Sequence, residues 1–336
     1  MAKGTVLGAG AWGVALGVLL YDNGNEVTMW TLLDKEADML RNDRENKISL
    51  PGVKIPEEIK VTTDLDEAVN DRDIIVLATA SRFVRTTSAK LKGKVRDNQI
   101  IVNVSKGIEE STLMTMTEII SEEIPGCDAA VLSGPSHAEE VGRCLPTTCV
   151  VGAKTASTAK YIQDVFMCSR FRVYTSPDIL GIELGGSLKN VIALAAGMAD
   201  GIGCGDNTKA ALITRGMAEI TRLGLVMGGK AETFAGLSGM GDLIVTCASM
   251  HSRNRRAGIL IGQGKTMDEA MTEVNQVVEG VYSAKAAKLL AEKYNVSMPL
   301  VNEVNKVLFE NKSVRESLED LMVRNKTTEI VVDNWN

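Results

Sequence analysis

The chain has 336 residues, a formal net charge of −6, and 45% hydrophobic against 24% charged residues. This length predicts about two domains with a substantial core, and an acidic chain with few aromatic residues is unsuited to a nucleic-acid surface. No run approaches the roughly 18 apolar residues of a membrane span, and six cysteines without a C-x-x-C pair indicate buried, reduced thiols in a cytoplasmic protein. With only two histidines in the chain, a histidine-based metal site or a Ser-His-Asp triad is disfavoured. We therefore expect Lys, Asp or Glu to carry out acid–base chemistry.

The first predicted elements are a strand, a glycine-rich turn and a helix. The apolar residues 4–7 lead into Gly8-Ala9-Gly10-Ala11-Trp12-Gly13, and an apolar segment at 14–20 follows. In a dinucleotide-binding loop, Gly8 permits a tight turn, Gly10 lets the backbone approach a pyrophosphate, and Gly13 lets the helix pack on the strand. The alternatives are chance spacing and a secretory signal, but a signal rarely carries so many glycines.

The second predicted strand covers residues 26–31 and bears on the choice of cofactor. An NAD-binding strand of this kind usually ends in an acidic residue for the ribose, yet no carboxylate occurs here before Asp34. No arginine stands at the strand tip for a 2′-phosphate either, and Lys35 and Arg41 are no more than possible partners. The sequence leaves both NAD and NADP open, with NADP slightly favoured.

Further elements follow in an order typical of a doubly wound sheet. Strands are predicted at 73–80, 99–104, 129–132, 147–151 and 171–174, a short capped helix at 64–69, and a longer helix at 157–167. From Ser176 onward helical periodicity dominates, with helices at 178–201 (interrupted or softened at Gly185-Gly186), 209–227, 254–261, 267–274, 280–294, 300–310 and 313–324. We therefore expect a Rossmann-type α/β domain with a mostly parallel sheet (1–180), then an all-helical domain (181–336), with a substrate cleft between them.

Two lysines stand where this cleft is expected. Lys106 follows the strand at 99–104, and the competing interpretation is a surface lysine beside a turn. Lys189 is almost the only charge in a long apolar helix, so its ammonium group must be paired or its pKa lowered. Such a lysine suits proton transfer near neutrality; the alternative is a lysine at the helix edge that reaches solvent.

Two further segments can each be interpreted either as part of a binding site or as an ordinary helix start. The run Ser252-Arg253-Asn254-Arg255-Arg256 concentrates guanidinium groups, which match phosphate oxygens, or it is an ordinary helix start with Ser252 or Asn254 as N-cap. Asp242 lies among small residues in 238–243, where it either orients Lys189 or a substrate hydroxyl, or caps the next helix.

Seven motifs follow one another along the chain: the loop Gly8–Gly13 with Trp12, Ser105-Lys106-Gly107, Gly134-Pro135-Ser136-His137-Ala138, Lys189-Asn190, Gly239-Met240-Gly241-Asp242-Leu243, Ser252-Arg253-Asn254-Arg255-Arg256 and Val278-Glu279-Gly280. In this order they resemble bacterial NAD(P)-dependent glycerol-3-phosphate dehydrogenase, from about residue 4 to residue 325. The resemblance implies reversible reduction of dihydroxyacetone phosphate to sn-glycerol 3-phosphate for phospholipid synthesis, a cytoplasmic location and a homodimer.

The resemblance also implies roles for individual residues. Lys189 is the expected general acid and base, with Lys106 and Asp242 beside it. The residues expected to bind the phosphorylated triose or polyol are Lys106, Gly134, Ser136, Lys189, Asp242, Ser252, Arg253 and Asn254. The residues expected to contact the dinucleotide are Gly8, Gly10, Ala11, Trp12, Gly13, Lys106, Ala138, Arg253, Val277 and Glu279. The chain departs from the pattern at the end of the second strand, which lacks the basic or histidine residue of many relatives, and at Val14, where threonine is common.

Two rival functions remain open. One is a two-domain dehydrogenase for a hydroxyacid or a hydroxyacyl thioester, although such enzymes space Lys and Asn apart on one helix face and here Lys189 and Asn190 are adjacent. The other is a module that senses a dinucleotide without turnover, which would not need Lys189 and Asp242. The tail at 326–336 carries an apolar patch suited to packing on a partner, or to fraying.

Overall fold

The computed structural model describes residues 1–326 and 328–329, so most of the apolar tail lies outside the described residues. The N-terminal half forms an eight-stranded sheet. Its strands are β1 (Lys3–Leu7), β2 (Glu26–Trp30), β3 (Lys60–Thr62), β4 (Ile74–Leu77), β5 (Ile100–Asn103), β6 (Asp128–Ser133), β7 (Thr147–Gly152) and β8 (Phe171–Ser176). Their spatial order is β3-β2-β1-β4-β5-β6-β7-β8. Neighbours are parallel except β6 and β7, which pair antiparallel.

Helices cover both faces of this sheet. They are α1 (Ala11–Asp22), α2 (Asp34–Asp43), α3 (Leu65–Val69), α4 (Val84–Leu91), α5 (Met116–Glu123), α6 (Ala138–Gly142) and α7 (Ala156–Phe166). Because both faces are covered, the central strands consist of apolar residues without alternation, and β4 is buried along its whole length. The expected Rossmann-type architecture is confirmed.

The strand order places a crevice at the carboxyl ends of β1 and β4. These two strands are neighbours, but the chain continues from β1 toward β2 on one side and from β4 toward β5 on the other. Loops that leave in opposite directions open a gap between them, which is where ligands bind in doubly wound sheets.

The C-terminal half is helical. Its helices are α8 (Ile179–Gly201), α9 (Asp206–Val226), α10 (Ala231–Ala235), α11 (Asp242–Ala248), α12 (Arg253–Gly262), α13 (Met267–Val274), α14 (Glu279–Lys293), α15 (Pro299–Phe309) and α16 (Val314–Met322). A π-helical turn, Leu237–Gly241, leads into α11. Residues 181–199 of α8 are all buried, so the other helices pack around α8.

Three expectations about this half and about the cysteines need correction. First, α8 runs unbroken through Gly185 and Gly186, because these glycines serve close packing against Ser238 and Ser133. Second, α8 is long and apolar enough to cross a membrane by composition, contrary to the expectation of no such run, but 89% of that window is buried inside the protein. Third, all six cysteines are free as expected, but only Cys149 and Cys247 are buried.

Small residues let α12 approach α8 at backbone distance. A Cβ at Gly258 would lie 2.3 Å from the carbonyl oxygen of Leu194 and 2.9 Å from Cα of Gly197. One turn further on, a Cβ at Gly262 would lie 2.4 Å from the carbonyl oxygen of Met198. This contact sets the position of the N-terminus of α12, and therefore of Arg253, relative to α8.

Candidate active site

Two lysines share one buried carboxylate at the junction of the sheet and the helical half. Lys189 Nζ donates to Asp242 Oδ1 at 2.7 Å, and Lys106 Nζ donates to Asp242 Oδ2 at 2.6 Å. Lys189 also donates to Thr246 Oγ1 at 2.5 Å. Asp242 and Lys189 are 1% and 5% exposed, whereas the side chain of Lys106 keeps 20% of its surface. The alternative interpretations of Lys189 as a lysine at the helix edge and of Lys106 as a surface lysine are therefore wrong.

This grouping perturbs the ionisation of its members. Burial lowers the pKa of Lys189 to about 8; the carboxylate of Asp242 opposes this change and the charge of Lys106 adds to it. Burial alone would raise the pKa of Asp242, but the charges of Lys106 and Lys189 overcome it and hold that pKa below its ordinary value. The site therefore contains a lysine able to give or take a proton near neutral pH.

Besides Asp242 of α11, a second buried carboxyl group, that of Glu183 on α8, supports the loop that carries Lys106. Glu183 accepts hydrogen bonds from the backbone N–H of Thr117 at 2.9 Å, from Thr117 Oγ1, and from Asn103 Nδ2 at 3.4 Å. Asn103 in turn bonds both backbone groups of Ser105, and Ser187 Oγ donates to the carbonyl oxygen of Gly107 at 3.1 Å. Helix α8 thus holds the Lys106 loop from two sides while it presents Lys189.

The segment after β6 forms another wall of the site. The carbonyl oxygen of Gly134 accepts from Lys106 Nζ at 3.1 Å and from Ser136 Oγ at 3.0 Å. Gly134 has φ +148°, and a Cβ there would lie 3.0 Å from the carbonyl oxygen of Thr148, so glycine is required. The structure therefore brings Lys106, Gly134 and Ser136 together with Lys189 and Asp242.

His137 also faces this site. Burial, followed by the charge of Lys189, lowers its pKa, and among the described residues its Nε2 is buried without a hydrogen-bond partner. Its ring centroid lies 5.7 Å from that of His251, which immediately precedes the arginine segment of α12. The two histidines of the chain therefore meet across the cleft.

The N-terminus of α12 supplies the expected basic segment. Ser252 is the N-cap of α12, and its Oγ accepts from the backbone N–H of Arg255. Asn254 Nδ2 donates to Asn190 Oδ1 at 2.9 Å, and Asn254 Oδ1 accepts from the N–H of Gly280 at 2.8 Å. Asn254 thus ties α12 and α14 to the residue next to Lys189, which leaves one amide hydrogen for a ligand.

The arginines of this segment have different surroundings. Arg255 Nε donates to Asp200 Oδ2 at 2.9 Å and Arg255 Nη1 donates to the carbonyl oxygen of Ala248 at 2.7 Å, so Arg255 is a structural residue. Arg253 is exposed and has no hydrogen bond or ion pair with another described residue. Partial desolvation lowers the pKa of Arg253, while the nearby carboxylates of Glu279 and Glu139 oppose the change.

The glycine loop has the geometry of a dinucleotide cradle. Gly8 adopts φ +110°, and a Cβ there would lie 2.8 Å from the carbonyl oxygen of Ala78. A Cβ on Gly13 would lie 1.9 Å from the carbonyl oxygen of Gly8, whereas at Gly10 it would meet no atom within 4 Å. The first N–H groups of α1 are thus accessible next to Gly10, as a pyrophosphate requires. The residues present therefore fit the cofactor.

The remaining residues expected to contact the dinucleotide lie around the same crevice. Ala11 and Trp12 start α1, and the buried Ala138 starts α6. Glu279, the first residue of α14, accepts from the N–H of Ser81 at 3.1 Å and from Ser81 Oγ at 2.5 Å. Ser81 follows β4, so Glu279 joins the helical half to the edge of the crevice. Val277 is partly buried just before α14.

Sequence reasoning did not find several residues that shape the site. Thr246 reaches Lys189 because α8 and α11 pack side by side. Glu183 and Ser187 lie on the same helix as Lys189, and they shape the site only because α8 packs against the loop that carries Lys106. A weak signal for two of them is the i, i+4 spacing of Glu183 and Ser187, polar residues on one face of an otherwise apolar helix.

The fold and the site together define a two-domain oxidoreductase in which a dinucleotide crevice meets a buried, proton-transferring lysine. Known proteins give the family. The N-terminal family of NAD-dependent glycerol-3-phosphate dehydrogenase matches residues 3–159, and the corresponding C-terminal family matches residues 178–319. The chain therefore belongs to the NAD-dependent glycerol-3-phosphate dehydrogenase family. This confirms the resemblance seen in the sequence, and it confirms that the protein is an oxidoreductase that uses NAD or NADP.

Individual relatives agree with this membership. Glycerol-3-phosphate dehydrogenase [NAD(P)+] from Fusobacterium nucleatum is 60% identical over 332 residues, covering 98% of this chain and 99% of the relative. The protein of the same name from Agathobacter rectalis is 60% identical and covers all of both chains. The crystal structure of the Coxiella burnetii glycerol-3-phosphate dehydrogenase has 34% identity and a TM-score of 0.93, covering 96% of this chain and 99% of that one.

Proposed function

We propose that this protein reversibly reduces dihydroxyacetone phosphate to sn-glycerol 3-phosphate with NADH or NADPH. The observation that carries the proposal is the buried Lys189, whose ammonium shares the carboxylate of Asp242 with Lys106 at the inner end of the dinucleotide crevice. Belonging to the family, and 60% identity to relatives named glycerol-3-phosphate dehydrogenase [NAD(P)+], support the same reaction.

The chain's own residues handle the proton. The reduced nicotinamide, when bound, supplies the hydride to the carbonyl carbon. As that carbon gains the hydride, the carbonyl π electrons move to oxygen, and Lys189 as ammonium donates a proton to that oxygen. Asp242 and Thr246 hold Nζ of Lys189 in place. In the reverse direction the neutral amine of Lys189 takes the hydroxyl proton.

A second charge serves the developing alkoxide. Lys106 lies at the same carboxylate and keeps part of its surface exposed, so its ammonium stabilises negative charge on the substrate oxygen. Because two ammonium groups share one carboxylate, the cluster carries a net positive charge where the oxygen becomes negative. Gly134 and Ser136, which surround Lys106, complete the wall for the triose.

We assign the substrate phosphate to the N-terminus of α12. Arg253 is an exposed guanidinium with no partner among the described residues, and a guanidinium binds phosphate oxygens bidentately. The remaining hydrogen of Asn254 Nδ2 and the helix start at Ser252 add donors beside it. For the dinucleotide we assign Gly8, Gly10, Ala11, Trp12, Gly13, Lys106, Ala138, Arg253, Val277 and Glu279.

The geometry disfavours the two rival functions. A hydroxyacid or hydroxyacyl thioester dehydrogenase of this architecture spaces Lys and Asn apart on one helix face, whereas Lys189 and Asn190 are adjacent in α8, and the relatives at 60% identity are glycerol-3-phosphate dehydrogenases. A sensing module without turnover does not explain a lysine whose burial lowers its pKa to about 8. We therefore retain the phosphorylated triose as substrate.

Substrate selectivity tests the phosphate assignment. Arg253→Ala should raise KM for dihydroxyacetone phosphate by roughly 10- to 100-fold, because it removes charged hydrogen bonds to phosphate. With the dinucleotide saturating, so that the second contact of Arg253 does not limit the rate, turnover of unphosphorylated dihydroxyacetone should change little. Arg172→Ala, at an exposed arginine on β8, is the matched control. Equal losses with both substrates would contradict the assignment of Arg253.

We also propose that the protein is a cytoplasmic homodimer that supplies glycerol phosphate for phospholipid synthesis, as expected from the family resemblance. The proposed domain boundary at 180/181 lies close to the passage from β8, which ends at Ser176, to α8, which begins at Ile179. Sedimentation analysis of the purified chain tests the dimer; a monomer at micromolar concentration would contradict it.

A further inference from the structure

The tip of β2 carries a carboxylate that is not adjacent to the strand in sequence. Glu36 lies in the first turn of α2, and α2 turns its side chain back toward the strand end. Thr31 Oγ1 donates a hydrogen bond to Glu36 Oε2, and Asn46 Nδ2 lies 3.4 Å from Glu36 Oε1. A half-buried carboxylate thus stands at the position where NAD-binding strands usually have one.

Asn46 also places Glu36 next to the glycine loop. Asn46 is fully buried, and its Nδ2 donates to the carbonyl oxygen of Ala9 at 2.8 Å. Its Oδ1 accepts from the backbone N–H groups of Ile48 and Ser49, so the amide is held from both ends. One amide nitrogen therefore links the loop that receives the pyrophosphate with the carboxylate of Glu36. The adenosine ribose joins directly to this pyrophosphate, so its hydroxyls arrive near Glu36.

The charges around Glu36 favour hydroxyl groups over a phosphate. Within the part of the chain that the structure describes, Glu36 belongs to no ion pair, and its two hydrogen bonds leave lone pairs free for further donors. The exposed Asp34 adds a second negative charge to the same helical turn. Two phosphate oxygens with negative charge would be repelled here, whereas ribose hydroxyls can donate to the carboxylate.

Neither of the two cationic residues considered for a 2′-phosphate, Lys35 and Arg41, is well suited to bind one at the tip of β2. Leu32 and Leu33, both 62% exposed, follow the strand directly and offer only apolar surface. Arg41 donates to the carbonyl oxygen of Val61 at 3.0 Å and pairs with Asp38. Lys35 remains as a single exposed cation between two acidic residues.

We propose that Glu36, oriented by Thr31 and Asn46, binds the adenosine ribose hydroxyls and makes this enzyme selective for NAD(H) over NADP(H). The inference rests on the proposed function, in which a dinucleotide is the hydride donor. The sequence suggested a slight preference for NADP because no carboxylate follows the strand directly. The structure brings Glu36 back to the strand tip, so we now propose NAD(H) instead.

Binding measured by calorimetry tests the selectivity without turnover. The wild-type chain should bind NADH at least about tenfold more tightly than NADPH, since one charged hydrogen-bond site changes affinity by this order. Glu36→Gln keeps the side-chain shape but removes the charge. It should reduce the ratio of the affinity for NADH to the affinity for NADPH by about tenfold. Glu292→Gln is the matched control: it makes the same exchange at an exposed carboxylate near the far end of α14 and should leave the affinity ratio unchanged.

A second variant covers the case in which Glu36→Gln disturbs the fold. Leu32→Arg, at an exposed position beside the strand tip, should strengthen NADPH binding while NADH binding changes less. Tighter binding of NADPH by the wild-type chain, or the same ratio in wild type and Glu36→Gln, would overturn the proposal. Failure of the proposed function is separately visible: selective binding of NADH would persist, but dihydroxyacetone phosphate would not be reduced with either cofactor.

Discussion

At the scale of single residues, the chemistry depends on one carboxylate that serves two lysines. Asp242 keeps both ammonium groups in reach of one substrate oxygen, yet it cannot neutralise both. Burial and the charge of Lys106 therefore outweigh the attraction of Asp242, and the pKa of Lys189 falls to about 8. The pH dependence of catalysis should report this balance.

Reduction of dihydroxyacetone phosphate requires Lys189 as ammonium, so its kcat should decrease as the pH rises through about 8, while oxidation of glycerol phosphate should increase. Lys106→Met removes a positive neighbour and should raise the pKa of Lys189, which moves both pH limbs upward by about one pH unit. Steady-state profiles in both directions measure this. The position of the limb is the readout, because Lys106→Met also weakens substrate binding. Limbs that stay in place, or move downward, would contradict the coupling.

Residues with an unusual local context could be identified from the sequence, and residues defined by packing could not. Lys189 stood out as a charge in an apolar helix, and Arg253 as part of a basic cluster. Glu36 could not be assigned, because only the turn between β2 and α2 brings it back to Thr31. Glu183 was equally hidden, since its partners Asn103 and Thr117 lie far away along the chain.

At the scale of elements, most strands and most helices of the C-terminal half were predictable, whereas β3 and short helices such as α2 and α6 were not. The buried strands are continuous apolar runs, and this pattern can be recognised in the sequence without knowledge of the fold. Helices such as α2 and α6 bury two residues each, so their sequences carry little periodicity. The glycine pair in α8 was misjudged because glycine lowers helix propensity, whereas here close packing decides.

The contact of α8 with α12 should tolerate no extra methyl group. Gly258→Ala would place a Cβ 2.3 Å from the carbonyl oxygen of Leu194, which should lower the free energy of unfolding by about 1–3 kcal/mol. Because α12 carries Arg253, KM for dihydroxyacetone phosphate should rise as well. Urea denaturation and steady-state kinetics check both effects. Gly205→Ala, where a Cβ meets no atom within 4 Å, is the control and should change either value little.

At the scale of the whole molecule, buried acids link stability to pH. Glu219 of α9 accepts from the N–H groups of Leu300 and Val301 at the start of α15. Burial raises its pKa from 4.5 to about 7, and burial raises the pKa of Glu183 to about 7 as well. Between these pH values the unfolded chain releases protons that the native state retains. The two groups therefore make the protein less stable as the pH rises from about 4.5 to about 7.

Glu219→Gln should flatten this pH dependence. The variant removes one titrating group, whose contribution to the slope is at most about 1.4 kcal/mol per pH unit. The urea midpoint should therefore decrease less between about pH 5 and about pH 7 than in the wild-type chain. Glu232→Gln, at an exposed position, should follow the wild type. An unchanged slope in Glu219→Gln would show that this carboxyl does not titrate as its burial implies.

The most direct test of the central claim is the turnover number of Lys189→Met with dihydroxyacetone phosphate. If Lys189 is the proton donor, kcat should fall by roughly 10²–10⁴-fold, while calorimetry finds the dinucleotide bound as in the wild type. Lys288→Met, at a surface lysine that pairs with Glu310, should remain fully active. Near-normal turnover in Lys189→Met would contradict the account.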